Sequence, residues 1–124
     1  MFIKDLKKLT KENTNFRKVL FTGKYSQIVA MSVPVGGDIG EEAHPNTDQT
    51  LSFIDGQCEA IVNGETRMVK EYDVVFVPAG TIHNFKNIGT EVLKLFTVYA
   101  PPQHLDGTIH KTKEEAEKAE KEEV

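Results

Sequence analysis

Residues 36–56 read Gly-Gly-Asp-Ile-Gly-Glu-Glu-Ala-His-Pro-Asn-Thr-Asp-Gln-Thr-Leu-Ser-Phe-Ile-Asp-Gly, and the rest of the chain is organised around them. Glu42 and His44 lie two apart, so on extended backbone both side chains leave the same face, and Gln49 follows with a further oxygen donor. That is a metal-ligand constellation. Taken alone it has plain alternatives: a solvated loop histidine at His44, a surface acid at Glu42 beside Glu41, and an interior hydrogen-bonding amide at Gln49. A second stretch, Pro-Ala-Gly-Thr-Ile-His-Asn-Phe-Lys-Asn at residues 78–87, offers His83 as the missing ligand. Strand parity supports Gln49 over its neighbour. If Gln49 points inward, Leu51 and Phe53 do too, whereas an inward Asp48 would put Thr50 and Ser52 in the core.

Working outward, short runs rich in Val, Ile and Phe recur every 8 to 12 residues, at residues 16–22, 27–35, 49–54, 57–62, 65–69, 73–77, 82–86 and 92–99. Turn residues separate them. Asn63-Gly64 predicts a type I′ hairpin between 57–62 and 65–69, since both positions tolerate positive φ. The continuous apolar run at 73–77 has the form of a buried strand. On the last strand, Leu93, Leu95, Thr97 and Tyr99 oppose Val92, Lys94, Phe96 and Val98; an outward Lys94 turns Tyr99 toward the interior. Residues 4–15 hold one apolar pair at helical spacing, Leu6 and Leu9, and predict a short helix or an edge segment. Pro101-Pro102 ends the last strand, and Thr112-Lys-Glu-Glu opens a short, exposed C-terminal helix with a capping box. The reading is an all-β fold of the jelly-roll type, one domain over 1–124, its barrel core at about 16–100 and its tail and helix at 101–124.

Composition excludes several partners. The net charge of −4, from 15 basic and 19 acidic residues, leaves no basic stripe for nucleic acid. No apolar run approaches the roughly 20 residues that span a bilayer, and the N-terminus lacks a signal-peptide pattern. A soluble, cytoplasmic protein is expected. The single cysteine, Cys58, falls in a strand and is expected to pack quietly. The outward apolar residues Val92, Phe96 and Val98 suggest a homodimer that covers them.

Together the two stretches resemble the paired motifs of the cupin superfamily. Its first motif spaces Gly, His, His, Glu and Gly as Gly36, Glu42, His44, Gln49 and Gly56 are spaced here, and its second spaces Gly, Pro, Gly, His and Asn as Tyr72, Pro78, Gly80, His83 and Asn87. Three positions depart: Glu42 stands for His, Gln49 for Glu, and Tyr72 for Gly. The chain looks like the small single-domain cupins grouped with mannose-6-phosphate isomerase. That resemblance implies a β-barrel with a divalent metal, held here by Glu42, His44, Gln49 and His83, and a small-molecule substrate.

Exchanging His for Glu at one ligand and Glu for Gln at another keeps one negative donor, so the charge around a divalent ion is preserved. Two nitrogens and two oxygens suit Mn or Fe, with Ni and Zn also compatible. Four protein donors in an octahedron leave about two positions open. An isomerase or epimerase and a dioxygenase both fit such a site, with Tyr99 a candidate cavity residue; the alternative is a barrel that binds a small molecule without chemistry. His104 and His110, in the tail, are expected to be surface or packing residues unless the tail folds over a mouth of the barrel.

Overall fold

The computed structural model describes residues 1–122. Helix α1 (Leu6–Glu12) precedes strands β1 (Arg17–Thr22), β2 (Gln27–Val33), β3 (Asp48–Asp55), β4 (Cys58–Val62), β5 (Glu65–Val69), β6 (Val74–Val77), β7 (His83–Asn87), β8 (Leu93–Ala100) and β9 (Ile109–His110), and helix α2 (Lys113–Glu122) follows. Every strand expected between residues 16 and 100 is present, with ends moved by one or two residues. The ladders are antiparallel and form two sheets, one ordered β6-β3-β8-β2-β1-β9 and one β5-β4-β7.

The expected barrel does not close. Residues 36–42 run beside β7, but only through the isolated bridges Asp38–Lys86 and Glu42–His83 and a few backbone hydrogen bonds, such as Ile39 N–H to Phe85 O at 3.0 Å. Pro34 and Pro45 flank this connection without N–H groups to donate, and its glycines turn it out of a continuous ladder with β7. The result is two facing sheets with their interior faces in contact. Parity holds as expected. Gln49, Leu51 and Phe53 are buried, Asp48 is exposed, and Leu93, Leu95, Thr97 and Tyr99 are all fully buried.

Two expectations about surfaces change. The run at 73–77 is an edge strand rather than a strand buried on both faces; β6 ends the six-stranded sheet and leaves Val74 and Phe76 exposed. Helix α1 packs over the outer face of β2, β3 and β8, so Phe96 and Val98 are half-buried while Val92 stays exposed. The chain itself thus covers much of the face that suggested a homodimer. Asp5 caps α1 by accepting from the Lys8 backbone N–H at 3.1 Å.

The hairpin at Asn63-Gly64 has φ of 50° and 79°, as a type I′ turn requires. Tyr72, standing where the related motif has glycine, has φ of 72°. A bulky residue in this left-handed region is strained by about 1–2 kcal/mol. Its ring is exposed and buries little in return. Tyr72→Gly is therefore expected to raise stability by about 0.5–1 kcal/mol, read as a higher urea midpoint at unchanged slope.

Cys58 is fully buried between β5 and β7. Burial, aided by the charge of Asp73, pushes its thiol up to about 12. Because the folded value lies above the unfolded one, the buried thiol contributes stability below the ordinary thiol range that is lost as pH rises toward 12. Alkylation by iodoacetamide at pH 8 is expected to run about a thousandfold slower in the native protein than in urea.

Candidate metal centre

The two motif stretches meet through backbone before any side chain is considered. Glu42 N–H donates to His83 O at 3.0 Å and His83 N–H to Glu42 O at 2.9 Å, a narrow antiparallel pair that places both side chains at one level. Gly80 N–H donates to His44 O at 2.8 Å, and Ala79 N–H to the Asp48 carboxylate at 2.9 Å, which ties the turn after β6 to the turn before β3. Asn84 then fixes residues 38–40 against β7. It accepts from Gly40 N–H and donates to the Asp38 carboxylate, both at 2.9 Å.

These constraints bring the reactive atoms of Glu42, His44 and His83 within 4.8 Å of one another. Glu42 Oε1 lies 3.3 Å from His44 Nε2 and 3.7 Å from His83 Nε2. All three atoms are buried, and none makes a hydrogen bond of acceptable geometry. Buried polar atoms without partners are rare in folded proteins, and three converging on one point mark a place for a guest. Ligands about 2.1 Å from one ion and at right angles to each other lie about 3.0 Å apart, close to the spacing here. His83 is further prepared: its Nδ1 lies 2.8 Å from Thr81 O, and donation to that carbonyl leaves the Nε2 lone pair facing the cluster. The residues present fit a divalent cation.

The electrostatics agree. Burial works to raise the Glu42 carboxyl, but the close approach of the His44 and His83 rings, with the charges of His44 and Arg17, outweighs it and holds the group down at about 2. Glu42 is therefore an anion at any ordinary pH. For His83, burial favours the neutral ring, yet the neighbouring Glu42 and the Thr81 carbonyl raise it above the ordinary histidine value. A carboxylate that favours the protonated form of the neighbouring His83 ring would draw a cation equally well.

Gln49, the fourth expected donor, is buried on β3 at 1% exposure. Its Nε2 donates to the Tyr99 hydroxyl at 3.4 Å, and its Oε1 is buried without a partner. Tyr99 stacks edge-on against His44, ring centroids 5.6 Å apart, and against His104 at 5.2 Å. Burial first, then the charge of Glu42, raises the Tyr99 phenol well above its ordinary value, so it stays protonated at ordinary pH.

The tail closes over this wall. Gln27, fully buried, accepts from the backbone N–H groups of Gln103 and His104 at 3.1 and 3.0 Å and donates to His104 O at 2.7 Å. His104 thus belongs to the lining. Its Nε2 is buried without a partner, and burial, with the charge of Arg17, lowers the ring to about 3. His110 lies 3.3 Å from Arg17 through Nδ1. Neither tail histidine is a simple surface residue.

Two further features escaped the sequence. Arg17 is buried to 2% exposure and its charge reaches Glu42, Tyr99 and His104. The only sign of it was its parity with Val19 on β1. The C-terminal helix, expected to be solvated, is docked: Ala116 joins the core at 2% exposure, Lys113 pairs with Asp38, and Glu120 with Arg17 at 3.2 Å. One small residue at a helical position cannot announce such docking, because the surface it covers comes from β1 and residues 36–42.

Comparison with known proteins places this geometry. Residues 29–99 match the Cupin domain family. The uncharacterized protein YrkC of Bacillus subtilis is 42% identical, over 96% of this chain and 67% of its own. The crystal structure of BH2720 from Bacillus halodurans superposes with a TM-score of 0.93 at 39% identity, covering 94% of this chain and 93% of that one. A predicted oxalate decarboxylase from Thermotoga maritima shares the fold, with a TM-score of 0.60 at 24% identity over 64% of this chain and 69% of that one. The match spans β2 to β8 and both motif stretches: the chain belongs to the cupin family.

Proposed function

We propose that this protein is a divalent-metal-dependent enzyme that moves a proton on a small polar metabolite, as isomerases and epimerases do, and that it acts in the cytoplasm. The observation that carries the reading is the convergence of three unpartnered buried atoms, Glu42 Oε1, His44 Nε2 and His83 Nε2. Those three residues would hold the ion, with Gln49 Oε1 as a further donor close by. A bound divalent ion would polarise a carbonyl oxygen and template the substrate, with Mn or Fe favoured by the mixed nitrogen and oxygen donors and Ni or Zn compatible. The chain's own residues supply the proton inventory. Tyr99 stays protonated because it is buried, and Gln49 orients its hydroxyl. His104 stays neutral beside it, with a free buried nitrogen. Tyr99 and His104 thus offer one hydroxyl and one free ring nitrogen beside the centre, the kinds of group that carry protons.

A second reading, a binding module without chemistry, draws on the burial of the centre, since His44 and His83 are 8% and 2% exposed. Deuterium incorporation separates the two. Protein loaded with Mn²⁺ is expected to exchange the proton α to the carbonyl of at least one member of a panel of hydroxy-ketones and hydroxy-acids in D₂O. Oxygen uptake with Fe²⁺ and no such exchange would replace the isomerase type with a dioxygenase; ligand binding without either would leave the binding module. Sedimentation velocity reports the homodimer.

A further inference from the structure

Arg17 is one of the largest fully buried side chains in the protein, and a buried guanidinium is costly unless its donors are occupied. It has five N–H donors. Among the described residues, only Nη1 has partners, Glu120 Oε1 at 3.2 Å and His110 Nδ1 at 3.3 Å, and Nε is buried with none. The paired carboxylate is itself half-exposed: Glu120 reaches inward from α2 with its side chain 48% exposed. A cavity of about 220 Å³ lies beneath α2, and Arg17, Glu42 and Glu120 line it together with Phe16, Ile39 and Ala116. The space thus touches the buried cation and, of the three clustered residues, Glu42 alone. Its roof is the helix that supplies the carboxylate, fastened at its other end by the Lys113–Asp38 pair.

We propose that Arg17 docks the carboxylate of a small anionic substrate entering beneath α2, and that Glu120 occupies the guanidinium until that substrate displaces it. The substrate class is a short carboxylic acid carrying a neighbouring hydroxyl or carbonyl oxygen. Its carboxylate meets Arg17 and its second oxygen faces Glu42 and the ion; this last part rests on the metal-centre reading above. The geometry favours a carboxylate over a phosphate. A planar guanidinium matches a carboxylate in a two-pronged pairing, and Arg17 and Lys113 in a cavity shared with Glu41, Glu42, Glu117 and Glu120 do not balance a phosphate dianion.

The test uses the full-length chain, metal-free and loaded with Zn²⁺, titrated by NMR with lactate, its neutral isostere lactamide, and inorganic phosphate, with Zn²⁺ affinity measured separately. Lactate is expected to bind at least about tenfold more tightly than lactamide, as a charge-assisted hydrogen bond to a buried donor allows. Glu120→Gln, on a half-exposed side chain, is expected to strengthen lactate binding roughly two- to fivefold by removing the internal competitor, with Zn²⁺ affinity unchanged. Arg17→Gln is expected to erase the preference for lactate. Equal binding of lactate and lactamide, or weaker lactate binding in Glu120→Gln, overturns the proposal; so does phosphate binding tighter than lactate. If Arg17→Gln does not fold, the Glu120→Gln result still decides. Failure to bind Zn²⁺ with the lactate preference intact would overturn the metal reading and leave the Arg17 assignment standing.

Discussion

Replacing His83 with alanine is expected to remove metal binding while leaving the two sheets in place. His83 supplies one of three converging donors, and its ring is already oriented by the Thr81 carbonyl. Losing an orienting partner of a ligand typically weakens metal binding about 10- to 100-fold; losing the ligand itself should exceed the upper figure. The measurement is metal content after purification without chelator, followed by titration of Zn²⁺ or Mn²⁺ into wild type and variant. Unchanged content in His83→Ala would remove the centre from this location. Far-UV circular dichroism serves as the control, since β7 keeps its ladder to β4 through backbone atoms. Asn84→Ala offers a milder companion: it frees Gly40 and Asp38 and should weaken the centre less than ligand loss does.

The second large effect concerns the floor beneath the centre. Phe85 is fully buried two residues from His83 on the same strand face, with its ring 5.7 Å from Phe53 and 6.0 Å from His83, centroid to centroid. It joins the two sheets directly beneath the Glu42, His44 and His83 cluster. Phe85→Ala is expected to cost about 3–5 kcal/mol, the range for truncating a buried aromatic. A urea melt should show the midpoint falling accordingly. In variants that still fold, metal affinity should fall as well, because the cavity lets His83 sample other rotamers. Phe85→Leu, which keeps more volume, should recover most of both losses. A melt that moved by less than about 1 kcal/mol would mean that the sheets are held together elsewhere.

How much of this was legible beforehand depends on the range of the forces involved. The Asn63-Gly64 hairpin, the inward Gln49-Leu51-Phe53 face and the buried Tyr99 follow from φ preferences and from a period of two, both properties of neighbouring residues. The spacing of Glu42, His44 and His83 was legible as a pattern. That their ligand atoms lie within 4.8 Å of one another depends on the Glu42–His83 backbone pair, made between segments 41 residues apart in sequence (83 − 42).

Four features belonged to tertiary structure alone. The sheets stay open because the connection through Pro34 and Pro45 pairs only in isolated bridges, a matter of long-range register. Helix α2 docks because β1 and residues 36–42 form a seam that buries Ala116 and pairs Lys113 and Glu120, none of which its own amphipathicity reveals. His104 enters the lining because Gln27, 77 residues earlier, binds its backbone. Arg17 becomes an interior cation because of what closes over it. Local conformational preference and side-chain parity determined the strands and their inward faces, and motif spacing singled out the candidate ligands; the convergence of Glu42, His44 and His83, and the charge buried beside them, were decided by long-range packing, since desolvation and hydrogen bonding act only once distant segments have come together.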